Sequence, residues 1–150
     1  MTTLLALDIG GTKIGWGIVE AEDSFTVTER GSIPTLAAQG GADVAARICA
    51  LASELIESHP AITGIAVASA GVVDPATGTI VSATDIMPGW AGTKLGDLLS
   101  AHTQLPVRVL NDVHAHGLGE ATLGAGRPYR SVLSIAVGTG IGGAFVEDAR

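Results

Sequence analysis

The sequence is poor in cysteine, in aromatic residues and in positive charge, and each shortage excludes a class of protein. Its single cysteine, Cys49, cannot form an internal disulfide, so we expect a small buried core residue in a cytoplasmic protein. Aromatic residues make up 3% of the 150 positions, too few for a base-stacking platform. Eight Lys and Arg residues against 15 Asp and Glu give a net charge of −7, without a basic stripe. We therefore expect no nucleic-acid partner.

Long apolar runs and a leader are missing as well. No run approaches the roughly 18 apolar residues that cross a bilayer. The first residues also lack the basic and then apolar pattern of a secretion signal, so no membrane partner is expected. The chain is nevertheless 47% hydrophobic and only 15% charged, with a mean hydropathy of +0.44. This composition favours one well-buried α/β domain.

Hydrophobic periodicity predicts a mixed sheet. A three-stranded antiparallel meander comes first, strand–helix crossovers follow, and a further hairpin ends the chain, which places helices on both faces. The predicted strands cover residues 3–9, 14–19, 25–33, 62–68, 79–82, 107–110, 131–137 and 144–146. Three helices are expected: one capped by Asp43 that ends at His59, one capped by Thr93 that ends near His102, and one over 113–123.

The turn between the first two strands carries Asp8, Gly10, Gly11, Thr12 and Lys13. Adjacent glycines let successive backbone N–H groups converge on an anion, and a carboxylate beside such a cradle suits a divalent cation. Gly-Gly is equally typical of a type I′ hairpin turn. From this stretch alone, both interpretations stand.

Two more polar clusters follow apolar strands, at the strand ends where open α/β sheets bind ligands. One is Asn111-Asp112, and the other is Gly138-Thr139-Gly140, which can approach an oxyanion as the first turn does. Asp112 is either the N-cap of the next helix or a general base that accepts the proton of a substrate hydroxyl during phosphoryl transfer. Asn111 would then hydrogen-bond the substrate.

Other polar and aromatic residues carry weaker signals. His114 and His116 point to different faces of a helix, which favours solvated or capping histidines over a metal site, and Glu120 is expected to be a structural or surface residue. Trp90 is either a lid over a pocket or the anchor of a loop. Ser69 and Gly71 follow a buried strand and are candidates for a substrate pocket.

Taken together, these motifs resemble the ROK family of sugar kinases and related repressors, within the actin/hexokinase/Hsp70 superfamily. The family's more frequent Pro-Gly pair is replaced here by Ala70-Gly71. The similar segments, in the family's order, are residues 8–13, 69–74, 87–90, 111–120 and 138–143.

The resemblance implies a ribonuclease H-like (actin-like ATPase) fold and an ATP- and Mg²⁺-dependent kinase that acts on a hexose hydroxyl. Glucose is the commonest substrate for this motif set, with N-acetylmannosamine and other hexoses as alternatives. Asp112 would be the base and Asp8 would help to place Mg²⁺. The resemblance assigns sugar contacts to Asn111, Asp112, Ser69 and Gly71. It assigns the ATP phosphates to Gly10, Gly11, Thr12, Lys13, Gly138, Thr139 and Gly140.

The resemblance also implies a domain organisation. The family's Glu-x-x-His sugar motif, its zinc-binding cysteines and its adenosine segment lie beyond the second phosphate motif. We therefore expect an N-terminal lobe over about 1–130, the first strands of a second lobe over about 131–150, and a missing C-terminal lobe with the structural zinc. Such a chain is expected to be inactive alone and to form a homo-oligomer through its exposed apolar surface.

Two alternatives to a kinase remain at this point. One is a non-catalytic module that senses a sugar or a nucleotide, against which the presence of Asp112 argues. The other is a transcriptional regulator of the same family. Regulators carry a helix-turn-helix ahead of the first phosphate motif, whereas this motif begins at Asp8, and the acidic charge balance also disfavours DNA binding.

Overall fold

The computed structural model describes residues 2–22, 24–138 and 141–149. Its contacts divide the chain into two compact units, Met1–Leu110 and Asn111–Arg150. The predicted lobe boundary near residue 130 stays a prediction. The units divide earlier in the chain because the third helix packs against the last two strands.

The first unit is built around a five-stranded mixed sheet, in the order β3-β2-β1-β4-β7. β1 pairs antiparallel with β2, β2 pairs antiparallel with β3, and β1 pairs parallel with β4. The predicted meander followed by crossovers is therefore confirmed. The elements up to the end of this sheet are β1 (Thr2–Ile9), β2 (Lys13–Ala21), β3 (Phe25–Pro34), a 3₁₀ helix (Ala37–Gln39), α1 (Gly41–Ser58), β4 (Ile62–Ser69), β5 (Val72–Asp74), β6 (Thr79–Ser82), α2 (Leu95–Thr103) and β7 (Val107–Asn111).

Alternation along β1 shows how the core of this unit forms. Thr3, Leu5, Leu7 and Ile9 are buried, because every second side chain of a strand points to the same face. α1 covers the sheet with an apolar stripe at helical spacing, which includes the buried Cys49. Burial raises the pKa of the Cys49 thiol, as expected for a small core residue.

The N-cap predicted for α1 is wrong. Gly40, with φ of 96°, occupies that position, and Asp43 lies within the first turn. The chain enters α1 from the 3₁₀ helix through a backbone conformation that favours glycine. The N–H of Gly41 donates to the carbonyl of Pro88 at 2.7 Å. A backbone carbonyl therefore accepts the hydrogen bond that a capping side chain would otherwise accept at the start of the helix.

The N-cap predicted for α2 is also wrong, by one residue. Lys94 stands at the cap, and Thr93 uses its carbonyl to accept a hydrogen bond from the N–H of Ile80 at 2.9 Å. A single bridge also pairs Thr79 with Lys94. Backbone pairing with β6 therefore fixes the start of α2.

β3 lies at the edge of the sheet, and most of its residues are exposed. It is tied to the end of α1 by His59, whose Nε2 donates to the carboxylate of Glu29 at 2.8 Å. This hydrogen bond, with a second from Nδ1 to the carbonyl of Leu55 at 3.0 Å, raises the pKa of His59. Both ring nitrogens donate together only in the protonated imidazole, which explains the direction of the shift.

The second unit consists of α3 (Asp112–Thr122) packed on the hairpin of β8 (Ser131–Val137) and β9 (Ile141–Glu147). A Cβ added to Gly117 of α3 would lie 2.7 Å from Cβ of Ala144, so the helix approaches the hairpin closely. In the described part of the chain, no helix is long and apolar enough to cross a membrane.

Candidate functional site

The first glycine turn lies on a rigid hairpin. Ile9 and Ile14 pair across β1 and β2 and are completely buried, and the N–H of Gly10 donates to the carbonyl of Lys13 at 3.0 Å. Gly10 and Gly11 are half-buried, whereas the side chains of Thr12 and Lys13 are exposed, as is Asp8. The hairpin therefore presents its polar residues to solvent.

The stretch is a hairpin turn between β1 and β2, but its backbone is not that of a type I′ turn. A type I′ turn requires positive φ at both central residues, and neither Gly10 nor Gly11 has one. A Cβ on Gly11 would instead lie 2.8 Å from Cγ2 of Ile86, and one on Gly10 would lie 3.3 Å from the carbonyl oxygen of Lys13. The glycines thus permit close packing in the turn and do not adopt a left-handed backbone.

The parallel pairing of β1 and β4 brings a second loop to the same sheet edge. Ile9 is the register partner of Ser69, and the N–H of Ala70 donates to the carbonyl of Ile9 at 3.0 Å. Asp8 and Gly10 therefore lie beside the loop that carries Ser69 and Gly71, as expected for strand ends that line one site.

Ser69 forms hydrogen bonds inside the first unit that hold this loop in place. Its side chain is completely buried; its hydroxyl donates to the carbonyl of Ala70 at 3.0 Å and accepts the Nε1–H of Trp90 at 3.3 Å. The sugar contact predicted for Ser69 stays a prediction, and in this structure the side chain serves to hold Trp90. Gly71, at φ of 97°, is half-buried, and a Cβ there would lie 2.6 Å from the carbonyl oxygen of Ser82, so the loop packs closely against the end of β6.

Trp90 is the anchor of a loop and not a lid. It is 1% exposed and belongs to the core of the first unit. The loop before it is fixed by the hydrogen bond from Gly41 to Pro88, and a Cβ on Gly41 would lie 2.5 Å from the carbonyl oxygen of Gly89. The segment that resembles a sugar-side loop is therefore held against the start of α1.

The second unit begins with Asn111 and Asp112, at the junction of β7 and α3. Asn111, not Asp112, is the N-cap: its Oδ1 accepts the N–H groups of Val113 at 3.0 Å and His114 at 3.1 Å. The interpretation of Asp112 as the N-cap is thus wrong. Both residue types cap well, and the extended backbone of Asn111 decides between them.

Asp112 stands in the first turn of α3 and is half-buried. Its Oδ1 accepts the N–H of Val113 at 2.9 Å and the Nδ2–H of Asn111 at 3.0 Å. Among the described residues, no hydrogen bond reaches its Oδ2. One carboxylate oxygen is therefore fixed in place and the other is open to a ligand.

Three other titratable residues of α3 are singled out by the sequence. His114 and His116 are exposed. Glu120 holds the loop after the helix, because its Oε2 accepts the N–H of Ala125 at 3.1 Å, in line with the structural role expected for it. Within the described ranges, no group of three or more His, Cys, Asp or Glu side chains is placed to hold a metal ion.

The second glycine turn joins β8 to β9, whose ends pair Val137 with Ile141. A Cβ on Gly138 would meet nothing within 4 Å, so this residue borders open space. The phosphate contacts predicted for Thr139 and Gly140 lie outside the described residues.

Sequence analysis missed Thr35, which is completely buried at the base of the first glycine turn. Its hydroxyl donates to the carbonyl of Gly10 at 2.7 Å, and its N–H donates to that of Thr12 at 3.0 Å. In the sequence, the only sign of this role is the position of the threonine directly after Pro34, at the end of a polar strand. Hydrophobic periodicity does not single out such a residue.

Several known proteins are similar to this chain in sequence and in fold. A glucokinase of Halalkalibacterium halodurans is 34% identical over 148 residues, which are 96% of this chain and 44% of the relative. The crystal structure of a ROK family glucokinase from Streptomyces griseus, in complex with glucose and AMPPNP, superposes with a TM-score of 0.83 at 30% identity, over 99% of this chain and 45% of that one.

A third protein, an inorganic polyphosphate/ATP-glucomannokinase from an Arthrobacter species, superposes with a TM-score of 0.82 at 35% identity. The match covers 100% of this chain and 60% of the Arthrobacter protein. These structures confirm the predicted actin-like α/β fold.

The chain spans about half the length of the curated relatives it matches. The model of the ROK family itself matches residues 4–150. The chain therefore belongs to the ROK family.

Proposed function

We propose that the polypeptide carrying these residues transfers the γ-phosphoryl group of ATP to a hydroxyl of a hexose, with glucose as the first candidate. Glucokinases among the relatives, and the glucose and AMPPNP bound to the Streptomyces griseus enzyme, support this substrate pair. Because the chain spans about half of its relatives' length, we assign the activity to the full polypeptide and expect little from the 150 residues alone.

Asp112 carries the proposal as the general base. A base must hold one lone pair toward the substrate hydroxyl while the rest of the group is kept in position. Asn111 and the N–H of Val113 fix Oδ1 of Asp112, which leaves Oδ2 for the hydroxyl. The hydroxyl oxygen attacks the γ-phosphorus of ATP, its proton passes to Oδ2, and ADP departs.

The two glycine turns are proposed to hold the ATP phosphates. In the first, the half-buried Gly10 and Gly11 lack the positive φ of an ordinary hairpin turn, and Thr12 and Lys13 place a hydroxyl and an ammonium beside them. Because the N–H of Gly10 donates to the carbonyl of Lys13, the glycine donor proposed for a phosphate oxygen in this turn is the N–H of Gly11, beside the ammonium of Lys13. Gly138, Thr139 and Gly140 are proposed to act in the same way from the second turn.

Asp8 is proposed to place Mg²⁺, which neutralises phosphate charge when it is bound. Mg²⁺ in kinases is commonly held by one or two carboxylates, with water and substrate phosphates completing the shell. One exposed carboxylate beside a glycine turn fits that donor set. Asn111 and the loop of Ser69 and Gly71 are proposed to line the sugar side.

The test compares Asp112→Asn with Asp97→Asn, which removes the same charge from an exposed position of α2. ADP release from ATP and glucose is measured in the full polypeptide and in the 150-residue chain. Asp112→Asn is expected to lower kcat about 10²- to 10⁴-fold, since a general base contributes that much, while the KM for glucose changes little. Full activity in Asp112→Asn would refute the base assignment, and glucose binding without turnover in the unmutated polypeptide would favour a sensing module.

A further inference from the structure

Thr35 is a completely buried polar residue to which the proposed chemistry gives no role. It follows β3 and precedes the 3₁₀ helix. Its hydroxyl donates to the carbonyl of Gly10 at 2.7 Å, and its N–H donates to the carbonyl of Thr12 at 3.0 Å. One residue thus holds the carbonyls on both sides of Gly11.

Thr35 is itself held from the other side by α1. Nη1 of Arg47 donates to the carbonyl of Thr35 at 2.7 Å, and Nη2 donates to Oε1 of Gln39 at 2.7 Å. The next residue, Leu36, has φ of 54°, a left-handed conformation that a leucine keeps only where its surroundings impose it. The backbone around Thr35 is therefore fixed by contacts on both sides.

These contacts set the direction of one amide in the glycine turn. In a trans peptide the C=O and the N–H point in opposite directions, and the described residues contain no cis peptide. Because Thr35 holds the carbonyl of Gly10, the N–H of Gly11 in the same peptide points away from Thr35. No hydrogen bond among the described residues uses that N–H, so it is available to a ligand.

We propose that Thr35 is the positioning residue of the glycine turn, and that its hydroxyl aims the N–H of Gly11 at a phosphate group of the nucleotide. The ligand in this inference rests on the proposed kinase function, whereas the orientation of the peptide does not. Fixing the donor before the nucleotide binds avoids the cost of ordering it afterwards. The turn then depends on a residue that touches neither substrate.

The test uses two variants that differ in one group. Thr35→Val keeps the shape and removes the hydroxyl, whereas Thr35→Ser keeps the hydroxyl. The first measurement is the residual dipolar coupling of the Gly11 N–H in the ligand-free chain, which reports the orientation of that peptide. It is expected to change in Thr35→Val and to stay as it is in Thr35→Ser.

The second measurement is the pair of KM values for ATP and glucose in the full polypeptide. Thr35→Val is expected to raise the KM for ATP about tenfold, in keeping with one lost hydrogen bond, and to leave the KM for glucose within about twofold. Thr35→Ser is expected to restore the KM for ATP. An equal rise of both KM values would indicate general disruption and overturn the inference.

The two measurements separate this inference from the proposed function. If the full polypeptide shows no kinase activity, the proposed function fails, while an unchanged Gly11 coupling in Thr35→Val overturns the positioning role by itself. If Thr35→Val does not fold, Thr35→Ala takes its place, because it removes the same hydroxyl without the bulk of the valine side chain. A changed coupling in Thr35→Ala supports the inference, and an unchanged one overturns it.

Discussion

At the scale of single residues, Asn111 combines a structural role with a proposed functional one. Its side chain caps α3 and also orients Asp112. Asn111→Ala is expected to lower the free energy of unfolding by about 1 kcal/mol, the usual cost of losing an N-cap. Asn111→Ser keeps a capping oxygen, so its stability is expected to stay within about 0.5 kcal/mol of the unmutated chain.

Urea denaturation followed by circular dichroism measures both stabilities, and turnover of the full polypeptide measures the second role. Asn111→Ser is expected to keep the fold and to lower kcat, because serine lacks the amide that donates to Asp112. Equal stability losses in the two variants would contradict the capping role.

The sequence indicates residues that stand at strand ends, but not residues whose role depends on distant contacts. Asp8 and Asp112 could be selected because each follows an apolar strand. Thr35 could not, since its partner Gly10 lies 25 residues away in the sequence and only the pairing of β2 with β3 brings them together. The choice between Asn111 and Asp112 as the cap likewise depends on backbone angles that no pattern encodes.

At the scale of elements, most strands were predicted closely, although β9 begins at Ile141 instead of residue 144 and the short strand β5 was not predicted. β6 and β8 have the predicted bounds, and β4 and β7 extend one residue further, because apolar runs between turn residues mark buried strands well. The starts of α1 and α2 are set instead by backbone partners, Pro88 for Gly41 and β6 for the segment before Leu95. Those partners come from other parts of the chain, so the capping residue types in the local sequence predicted the wrong helix starts.

Two glycines of α3 provide a matched test of how that helix packs. A Cβ on Gly117 would lie 2.7 Å from Cβ of Ala144 and 3.3 Å from Cβ of Ser134, whereas one on Gly119 would meet nothing within 4 Å. Alanine improves helix propensity at both positions by up to about 1 kcal/mol. Gly119→Ala is thus expected to stabilise α3, and Gly117→Ala to destabilise it by up to about 2 kcal/mol net, because overpacking costs about 1–3 kcal/mol and the gain in propensity offsets about 1 kcal/mol of it.

Thermal denaturation of the two variants beside the unmutated chain measures this difference. Since propensity changes equally in both, the difference between them reports the contact of α3 with β8 and β9. A Gly117→Ala variant as stable as Gly119→Ala would mean that the helix does not lie this close to the hairpin.

At the scale of the whole molecule, the two compact units differ in the size of their hydrophobic cores. The first unit contains the large buried cluster that includes Leu5, Ile48 and Trp90. In the second, the buried apolar side chains are Ala121, Ala144 and Val146 among the described residues. Its hairpin also turns a face of large apolar side chains to solvent, and these residues are Leu133, Ile135, Val137, Ile141 and Phe145.

This difference predicts unequal protection of the backbone. Burial of apolar area is the main source of stability, and the exposed face of β8 and β9 contributes none of it. Amide hydrogen exchange of the 150-residue chain, followed by mass spectrometry, is therefore expected to be at least tenfold slower in β1 and β4 than in β8 and β9. The comparison is made at low protein concentration, so that association between copies does not cover the apolar face. Equal protection in both units would contradict this prediction, because it would show that the chain unfolds as one cooperative body. The stability of the second unit would then not come from its internal contacts alone.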